Sequence, residues 1–531
     1  MSYPFRTRRY AIEDDEQVTI VPPGPGWRQF GISAFCTTAI LVLCWYFAGL
    51  LIQQTNQNLG PVKDVVSGEV QGDQDQKHNI NQALLARDFL TPRPDLGMMD
   101  NLLRWMPHRT DGVVAPLWPW VAARLATPGQ SYREFEVTEQ DRELFVKGKW
   151  ANVAMVLVFL WALGLVMARA FRPAATVAVL LLGAFGVLVP RAVYFQPEPL
   201  FFILFFLTWV CAVKLLMKND LWLHALFGLL GGLAYLAKTS IEPLMLAWFG
   251  IAAIRFVAAC LRRRDDSLTE QNWTCRNHFI GLIVFAFAWL AITLPRYVAA
   301  HERWGEARFS YPAAWMWMDD FGKECAPWMV AHPDKKSLDA IPPGEKPSLG
   351  KYLKTHSVEQ VKDRLVGGTT ERVRRWLAPK PVKVKTDGSF SGWKVLLELR
   401  GAYLGALGFV LLGAAVLVWT RRKSVDRVGQ ASPPGAGAAV LFTIGTALGY
   451  LLLYGWYDAI GRGDRFMLSL YLPLVFCLIW GSEALMDLAL MRKAPRWTPW
   501  VYQIALGALN AAVLWRVMEI LRLPVFDKGT L

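Results

Sequence analysis

The chain has 531 residues, of which 54% are hydrophobic, and a formal net charge of +14. Soluble domains are only about 45–50% apolar, and here the apolar residues are gathered into long blocks, so the composition predicts an integral membrane protein. The basic residues are divided among loops, and no segment combines a basic face with aromatic platforms. This argues against nucleic acid as a partner and favours the phosphates of membrane lipids.

Apolar blocks of the length that crosses a membrane recur along the chain. A helix rises about 1.5 Å per residue, so a bilayer core of about 30 Å needs close to twenty apolar residues. Such blocks centre near positions 41, 160, 183, 207, 230, 250, 287, 410, 446, 476 and 508. The sequence therefore predicts an all-α integral membrane protein with about eleven transmembrane helices.

Basic residues mark one side of this predicted bundle. They lie in the short connections, which follow the positive-inside bias: Arg169 and Arg172, Lys214 and Lys218, Arg262 to Arg264, Arg421 to Lys423, and Arg492 to Arg496. We expect this side to be cytoplasmic, which places the N-terminus inside and the C-terminus outside.

Two polar stretches of roughly 95 residues each are predicted on the outer side. They divide the chain into a cytoplasmic segment (1–29), a membrane module (30–297) that includes the first outer loop (53–149), a second outer loop or subdomain (298–392), and C-terminal membrane helices (393–531). A channel or carrier has little use for such loops, whereas an enzyme at the bilayer surface needs them to build a site. The topology therefore predicts a membrane-embedded enzyme.

The first outer loop carries two carboxylates, Asp73 and Asp75, just ahead of a segment with apolar residues at helical spacing (Ile80, Leu84 and Leu85). This spacing predicts a helix on the bilayer surface, and the tryptophans of the 116–120 segment are also expected at the interface. A carboxylate here could act as a general base, or the two could hold a divalent cation. The alternative is an acidic turn that caps the helix.

Three further ionisable residues are predicted at the same membrane face. Glu198 begins the fourth span, Lys238 ends the fifth, and Arg465 begins the tenth. The two cations suit the phosphate of a lipid carrier, although each alone fits a snorkelling interfacial residue, and Glu198 alone fits a helix cap. Their joint placement, with the two carboxylates and both long loops, favours function over coincidence.

These residues give the chain a resemblance to the membrane glycosyltransferases of the C-type fold, which include protein O-mannosyltransferases, bacterial aminoarabinose transferases and oligosaccharyltransferases. The similar segments are Asp73 to Asp75 with Ala83 and the Ala86-Arg87 pair, Gln196 to Phe201, Leu236 to Lys238, and Asp464 to Phe466. The chain departs from the family at Lys77 and His78, where many members have an aromatic residue, and at Phe466, which replaces a tyrosine. The 298–392 loop matches no subfamily pattern.

The resemblance implies an inverting transfer of a sugar from a polyprenyl-phosphate donor to an acceptor hydroxyl at the periplasmic face of a bacterial inner membrane. It implies that Asp75, favoured over Asp73 by its spacing from Ala83, is the general base, with Glu198 as a further catalytic residue. Lys238, Arg465 and Arg87 would bind the donor phosphate. A divalent cation, if one is required, would be held by Asp73 and Asp75. The acceptor could be a lipid, a glycan or a protein.

Two other functional classes remain open from the sequence. A lipid-linked saccharide flippase or exporter would also face anionic lipids, but it predicts polar residues at mid-depth along the helices, whereas the ionisable residues here gather at one end. A catalytically inactive scaffold of the same fold is the second alternative. The sequence contains no GxxxxGK[ST] loop and no HExxH motif, which agrees with a donor that is already made on a lipid.

Overall fold

The computed structural model describes residues 27–55, 62–63, 70–71, 74–108, 111–132, 138–261, 275–377, 400–420, 436–460, 464–491, 494–495 and 497–522. Within these ranges the protein is helical apart from one short antiparallel pair, Val62–Lys63 with Val70–Gln71. Ten of the described helical segments are long and apolar enough to cross a membrane. The prediction of a multi-pass, all-α membrane protein is confirmed at this level.

The helices are numbered in chain order. They are α1 Trp27–Thr55, α2 Gln74–Leu90, α3 Met98–Trp105, α4 Leu117–Ala123, α5 Arg142–Ala170, α6 Pro173–Gly183, α7 Val189–Ala192, α8 Glu198–Met217, α9 Leu221–Ala237, α10 Glu242–Leu261, α11 Cys275–Trp304, α12 Tyr311–Trp315, α13 Ala326–Ala331, α14 Lys335–Asp339, α15 Leu349–Thr355, α16 Val358–Leu377, α17 Arg400–Thr420, α18 Ala436–Trp456, α19 Tyr471–Met491 and α20 Thr498–Leu521.

The predicted span near residue 230 differs from the others in length. It corresponds to α9, an apolar helix of 17 residues. The side chain of Asp220 accepts a hydrogen bond from the backbone N–H of Trp222 and so caps its start, and a 3-10 turn, Thr239–Ile241, follows its end. At about 1.5 Å per residue α9 is only about 25 Å long, which is less than a bilayer core of about 30 Å.

The third span is the most buried of the ten candidate spans in the described part of the chain. It runs as α6, a π-helical turn (Ala184–Leu188) and α7, and 83% of its most apolar window is buried. Gly186 lies in the π turn, where an added Cβ would come within 2.5 Å of the Tyr471 ring. Nε of Arg400 donates to the carbonyl oxygen of Gly186 at 2.6 Å. A glycine therefore lets α19 approach, and an arginine satisfies a backbone carbonyl in the helix irregularity.

Both long loops lie at one end of the bundle, which we call the loop end. The backbone N–H of Tyr311, in the second loop, donates to the carbonyl oxygen of Gly112, in the first, at 3.0 Å. Gly112 has φ of 90°, and an added Cβ would lie 2.8 Å from the Tyr311 ring, so this position requires glycine for two reasons. The contact brings together two segments that are far apart in the sequence.

Candidate active site at the loop end

Helix α2 begins at Gln74, so Asp75 lies within its first turn, and its side chain is exposed. The buried face carries Ile80 and Leu84, as their spacing predicts, and these pack with Trp118 of α4 in a small apolar cluster. Trp118 is fully buried, so it lies in this core and not at the membrane interface where it was expected. Asp73 lies outside the described residues.

Helix α2 is joined to the turn that precedes α8. Oε1 of Gln76 accepts a hydrogen bond from the backbone N–H of Phe195 at 2.6 Å. Nδ2 of Asn152, on α5, donates to the carbonyl oxygens of Tyr194 (2.9 Å) and Gln196 (3.1 Å). Because Glu198 begins α8 directly after this turn, these amide side chains fix its position relative to α2.

Glu198 and Lys238 form an ion pair. Nζ of Lys238 lies 3.2 Å from Oε1 of Glu198, and the two side chains are only 18% and 4% exposed. A carboxylate or an ammonium group removed from water is costly unless it is paired, so each residue stabilises the charge of the other. Two residues that the sequence marked separately, as a helix-start carboxylate and a helix-end lysine, are thus in contact.

Arg87, another predicted phosphate ligand, makes its described contact within the first loop. Nη1 of Arg87 donates to the carbonyl oxygen of Thr127, which tethers the far end of α2. Twelve helical positions separate Arg87 from Asp75, a distance of about 18 Å along the axis. Arg465 lies in a 3-10 turn, Asp464–Leu470, and its side chain is outside the described part of the structure.

The predicted site for a divalent cation consists of Asp73 and Asp75, and the structure describes only Asp75. Among the described residues, no group of three or more His, Cys, Asp and Glu side chains could hold a metal ion. The predicted two-carboxylate site needs Asp73 as well as Asp75, and Asp73 is outside the described residues.

Comparison of the chain with family models, curated proteins and solved structures gave no match in any of the three. The resemblance to the C-type glycosyltransferases therefore rests on the short motifs alone.

Two buried polar residues of α5 were not predicted from the sequence. Lys149 is fully buried, with Nζ 3.8 Å from the centroid of the Phe145 ring, and Asn152 is fully buried one turn further along. The signal was present, because a lysine and an asparagine three residues apart at the start of an apolar block are unusual, and such residues are normally paired or functional.

His78 is a third residue whose role was missed, since the sequence marked it only as a departure from the family pattern. Its Nε2 contacts Oδ2 of Asp111, in the turn before α4. His78 lies three residues, or about one helical turn, after Asp75 on α2. Asp111 carries no local pattern that would have marked it.

A separate cleft of about 460 Å³ lies between the second loop and the end of α18. Asp319 lies on its wall and accepts hydrogen bonds from the Tyr352 hydroxyl (3.0 Å), Nε2 of His356 (2.7 Å) and Nη1 of Arg364 (2.8 Å). Among the predicted site residues whose side chains the structure describes, none lines this cleft. Its polar groups hold the second loop together.

Proposed function

We propose that this protein is a membrane glycosyltransferase that moves a sugar from a polyprenyl-phosphate donor to an acceptor hydroxyl at the loop end. The observation that carries the proposal is the largely buried Glu198–Lys238 pair. It lies at the start of α8, and the turn before α8 is hydrogen-bonded to α2, the helix that presents the exposed carboxylate of Asp75. A snorkelling lysine would extend its ammonium group into water, whereas Nζ of Lys238 is held by Glu198 in a largely buried contact. A site for a charged lipid headgroup needs a fixed cation, and burial makes its charge more effective.

In the proposed reaction, Lys238 binds the donor phosphate and stabilises the charge that develops as the sugar leaves. Glu198 holds the ammonium group in place before the donor arrives. Asp75, exposed at the start of α2, takes the proton of the acceptor hydroxyl. Arg465 is the proposed second cation for the phosphate, and Arg87 stabilises α2 through Thr127.

We propose the periplasm of a bacterial inner membrane as the location of the loop end. Four basic residues lie in or just after the last turns of α5 and α8, at the opposite end of the bundle: Arg169, Arg172, Lys214 and Lys218. Their placement supports a cytoplasmic location for that end under the positive-inside bias. The basic groups at 262–264, 421–423 and 492–493, with Arg496, lie outside the described residues. Cysteine-accessibility labelling of intact cells tests the orientation: position 340 should be labelled from outside and position 425 should not.

The test of the activity uses the full-length protein in lipid nanodiscs with a panel of polyprenyl-phosphate hexoses and pentoses. Release of free polyprenyl phosphate is measured together with transfer of labelled sugar to lipid, glycan and protein fractions. Lys238→Ala should lower transfer by about 10²- to 10³-fold, the usual effect of losing one preorganised charge-stabilising donor. Arg422→Ala, a position that the sequence predicts on the cytoplasmic side, is the control and should retain activity.

Three results would contradict the proposal. Equal losses in Lys238→Ala and Arg422→Ala would reduce Lys238 to general membrane anchoring. Movement of an intact lipid-linked saccharide across proteoliposomes without sugar transfer would indicate a flippase. A scaffold would show neither reaction with any donor of the panel.

A further inference from the structure

The contact between His78 and Asp111 joins two parts of the first loop. His78 is on the second turn of α2, and its Nε2 contacts Oδ2 of Asp111. The other oxygen, Oδ1, accepts hydrogen bonds from the backbone N–H groups of Val113 and Val114, each at 3.0 Å. One oxygen of the Asp111 carboxylate is therefore fixed by its own turn, and the other oxygen contacts His78 of α2.

The same turn carries the contact with the second loop. The carbonyl oxygen of Gly112, next to Asp111, accepts the backbone N–H of Tyr311 at 3.0 Å. The Tyr311 hydroxyl in turn donates to the carbonyl oxygen of His332 at 2.6 Å. A continuous path of polar contacts therefore leads from α2, through Asp111 and Gly112, into the second loop.

We propose that His78 and Asp111 are a positioning pair that docks the second loop onto the first and thereby fixes the helix that carries Asp75. Its importance for catalysis rests on the proposed function, because only then does the position of Asp75 affect turnover. The docking itself does not depend on that function. It is a property of the contacts around Asp111 and can be measured without any sugar donor.

The charges around the pair favour its ionic form. Burial alone would lower the pKa of His78, but the hydrogen bond and charge of Asp111, with the charge of Asp75, raise it above its ordinary value. Burial would raise the pKa of Asp111, but His78 and the backbone N–H groups of Val114 and Val113 lower it. From the second loop and α11, the Tyr311 hydroxyl and the Arg296 guanidinium also act on Asp111.

The direction of the pH dependence follows from these shifts. Because the pKa of His78 is raised on folding, its ionic contribution is complete below the ordinary histidine range and is lost as the pH rises through the raised value. Because the pKa of Asp111 is lowered, its contribution is lost only when the pH falls through that lowered value. The docking should therefore be strongest in mildly acidic solution and weaken toward alkaline pH.

The Tyr311 amide is a direct reporter of docking, because it donates to Gly112 and the next residue, Pro312, has no amide hydrogen. Hydrogen–deuterium exchange is measured on the full-length protein in nanodiscs, with protection expressed relative to the intrinsic rate at each pH. His78→Gln and Asp111→Asn should each lower the protection of this amide by about tenfold, the equivalent of losing one charge-assisted hydrogen bond.

The matched control is His356→Gln. His356 also contacts an aspartate, Asp319, at 2.7 Å, but this pair lies wholly within the second loop. Its loss should leave Tyr311 protected. His78→Lys keeps a cation that titrates only far above neutral pH, so it should retain protection and abolish the change between about pH 6 and pH 8.5.

Unchanged protection in both His78→Gln and Asp111→Asn would overturn the proposal, as would an equal loss in His356→Gln. If Asp111→Asn fails to fold, His78→Gln and His78→Lys decide the question alone. If docking is lost as expected while no variant or wild-type protein transfers sugar, the positioning pair stands and the glycosyltransferase proposal fails.

Discussion

The two loops at the loop end are attached to the membrane helices by different chemistry. The first is held by neutral side chains: Gln76 accepts from the Phe195 backbone, and the cluster that contains Ile80 and Leu84 includes Phe145 of α5. The second is held by buried arginines of α16, which bind the last carbonyl groups of α18. A neutral, apolar attachment suits a rigid platform for Asp75, whereas a charged one can respond to salt and pH.

The arginine contacts of α16 share one face of that helix. Nε of Arg364 donates to the carbonyl oxygen of Trp456 at 3.0 Å, and Nε of Arg372 to that of Tyr454 at 3.3 Å. Between them, an added Cβ on Gly368 would lie 1.9 Å from the carbonyl oxygen of Gly455. The glycine permits the close crossing, and the cations satisfy carbonyls at the negative end of the α18 dipole.

The largest effect on stability is expected at Arg372. Its side chain is 1% exposed, and its Nη2 lies 2.7 Å from Oδ1 of Asp458. Arg372→Ala should cost about 3–5 kcal/mol, since it removes one partner of a buried ion pair. Arg374→Ala is the matched control on the same helix, because this arginine is 57% exposed and pairs with the partly exposed Glu371; it should cost less than about 1 kcal/mol. Thermal unfolding in nanodiscs measures both, and equal costs would contradict a buried charged attachment.

The packing of the second loop is reported by Cys325. Burial raises the pKa of its thiol to about 12 and removes the side chain from solvent. Maleimide labelling near pH 8 should therefore be at least about 10²-fold slower at Cys325 than at a cysteine introduced by Lys336→Cys on the exposed surface of the same loop. Similar labelling rates would mean that the loop core is open in solution.

A smaller loss is expected when the neutral attachment of the first loop is broken. Gln76→Ala leaves the buried N–H of Phe195 without its acceptor and should cost about 1–3 kcal/mol. Because no net charge is involved, the cost should be the same at low and high salt. Lys77→Ala, the neighbouring position with a half-exposed side chain, should lie within about 0.5 kcal/mol of wild type. If the loss of unfolding free energy in Gln76→Ala decreases as salt is raised, the first loop is not attached by neutral contacts alone, and the proposed difference between the two loops is wrong.

The smallest of these effects is expected at Asp319, whose side chain is 44% exposed although three groups donate to it. Asp319→Asn should cost about 1 kcal/mol or less, and the cost should fall as salt is raised from about 0.05 M to 0.5 M. Denaturant unfolding at the two salt concentrations measures this dependence. A salt-independent cost would assign Asp319 to the same neutral class as Gln76.

Local sequence patterns predicted much of the fold because hydropathy and helical period are local properties. Ile80 and Leu84 were sufficient to identify α2, and the apolar blocks identified the long helices. The meeting of Glu198 and Lys238 also follows from the chain, since α8 and α9 are joined by a short connection and must run antiparallel. The start of α8 and the end of α9 then lie at the same end of the bundle.

The remaining features depend on contacts that no local pattern encodes. Trp118 was expected at the interface because tryptophan favours it, but the Phe195 ring, 5.4 Å away, makes it part of a core. Asp111 lies in a turn and belongs to no helical or strand pattern, so its contact with His78 could not be predicted from the sequence. In sequence Arg364 and Arg372 resemble a solvated charged face. The open carbonyls of α18 and the aspartates that pair with these arginines explain their burial, and no local pattern marks those contacts.

The most direct test of the central claim is the turnover of Asp75→Asn. The substitution keeps the size of the side chain and much of its capping ability but cannot take a proton. We expect a stable, membrane-inserted protein that still binds its lipid donor and transfers sugar about 10²- to 10⁴-fold more slowly than wild type. If Asp75→Asn retains turnover and Asp73→Asn loses it, the base is Asp73. Near-wild-type turnover in both single variants and in the double variant would contradict the account, because the acidic motif would then serve only as a helix cap.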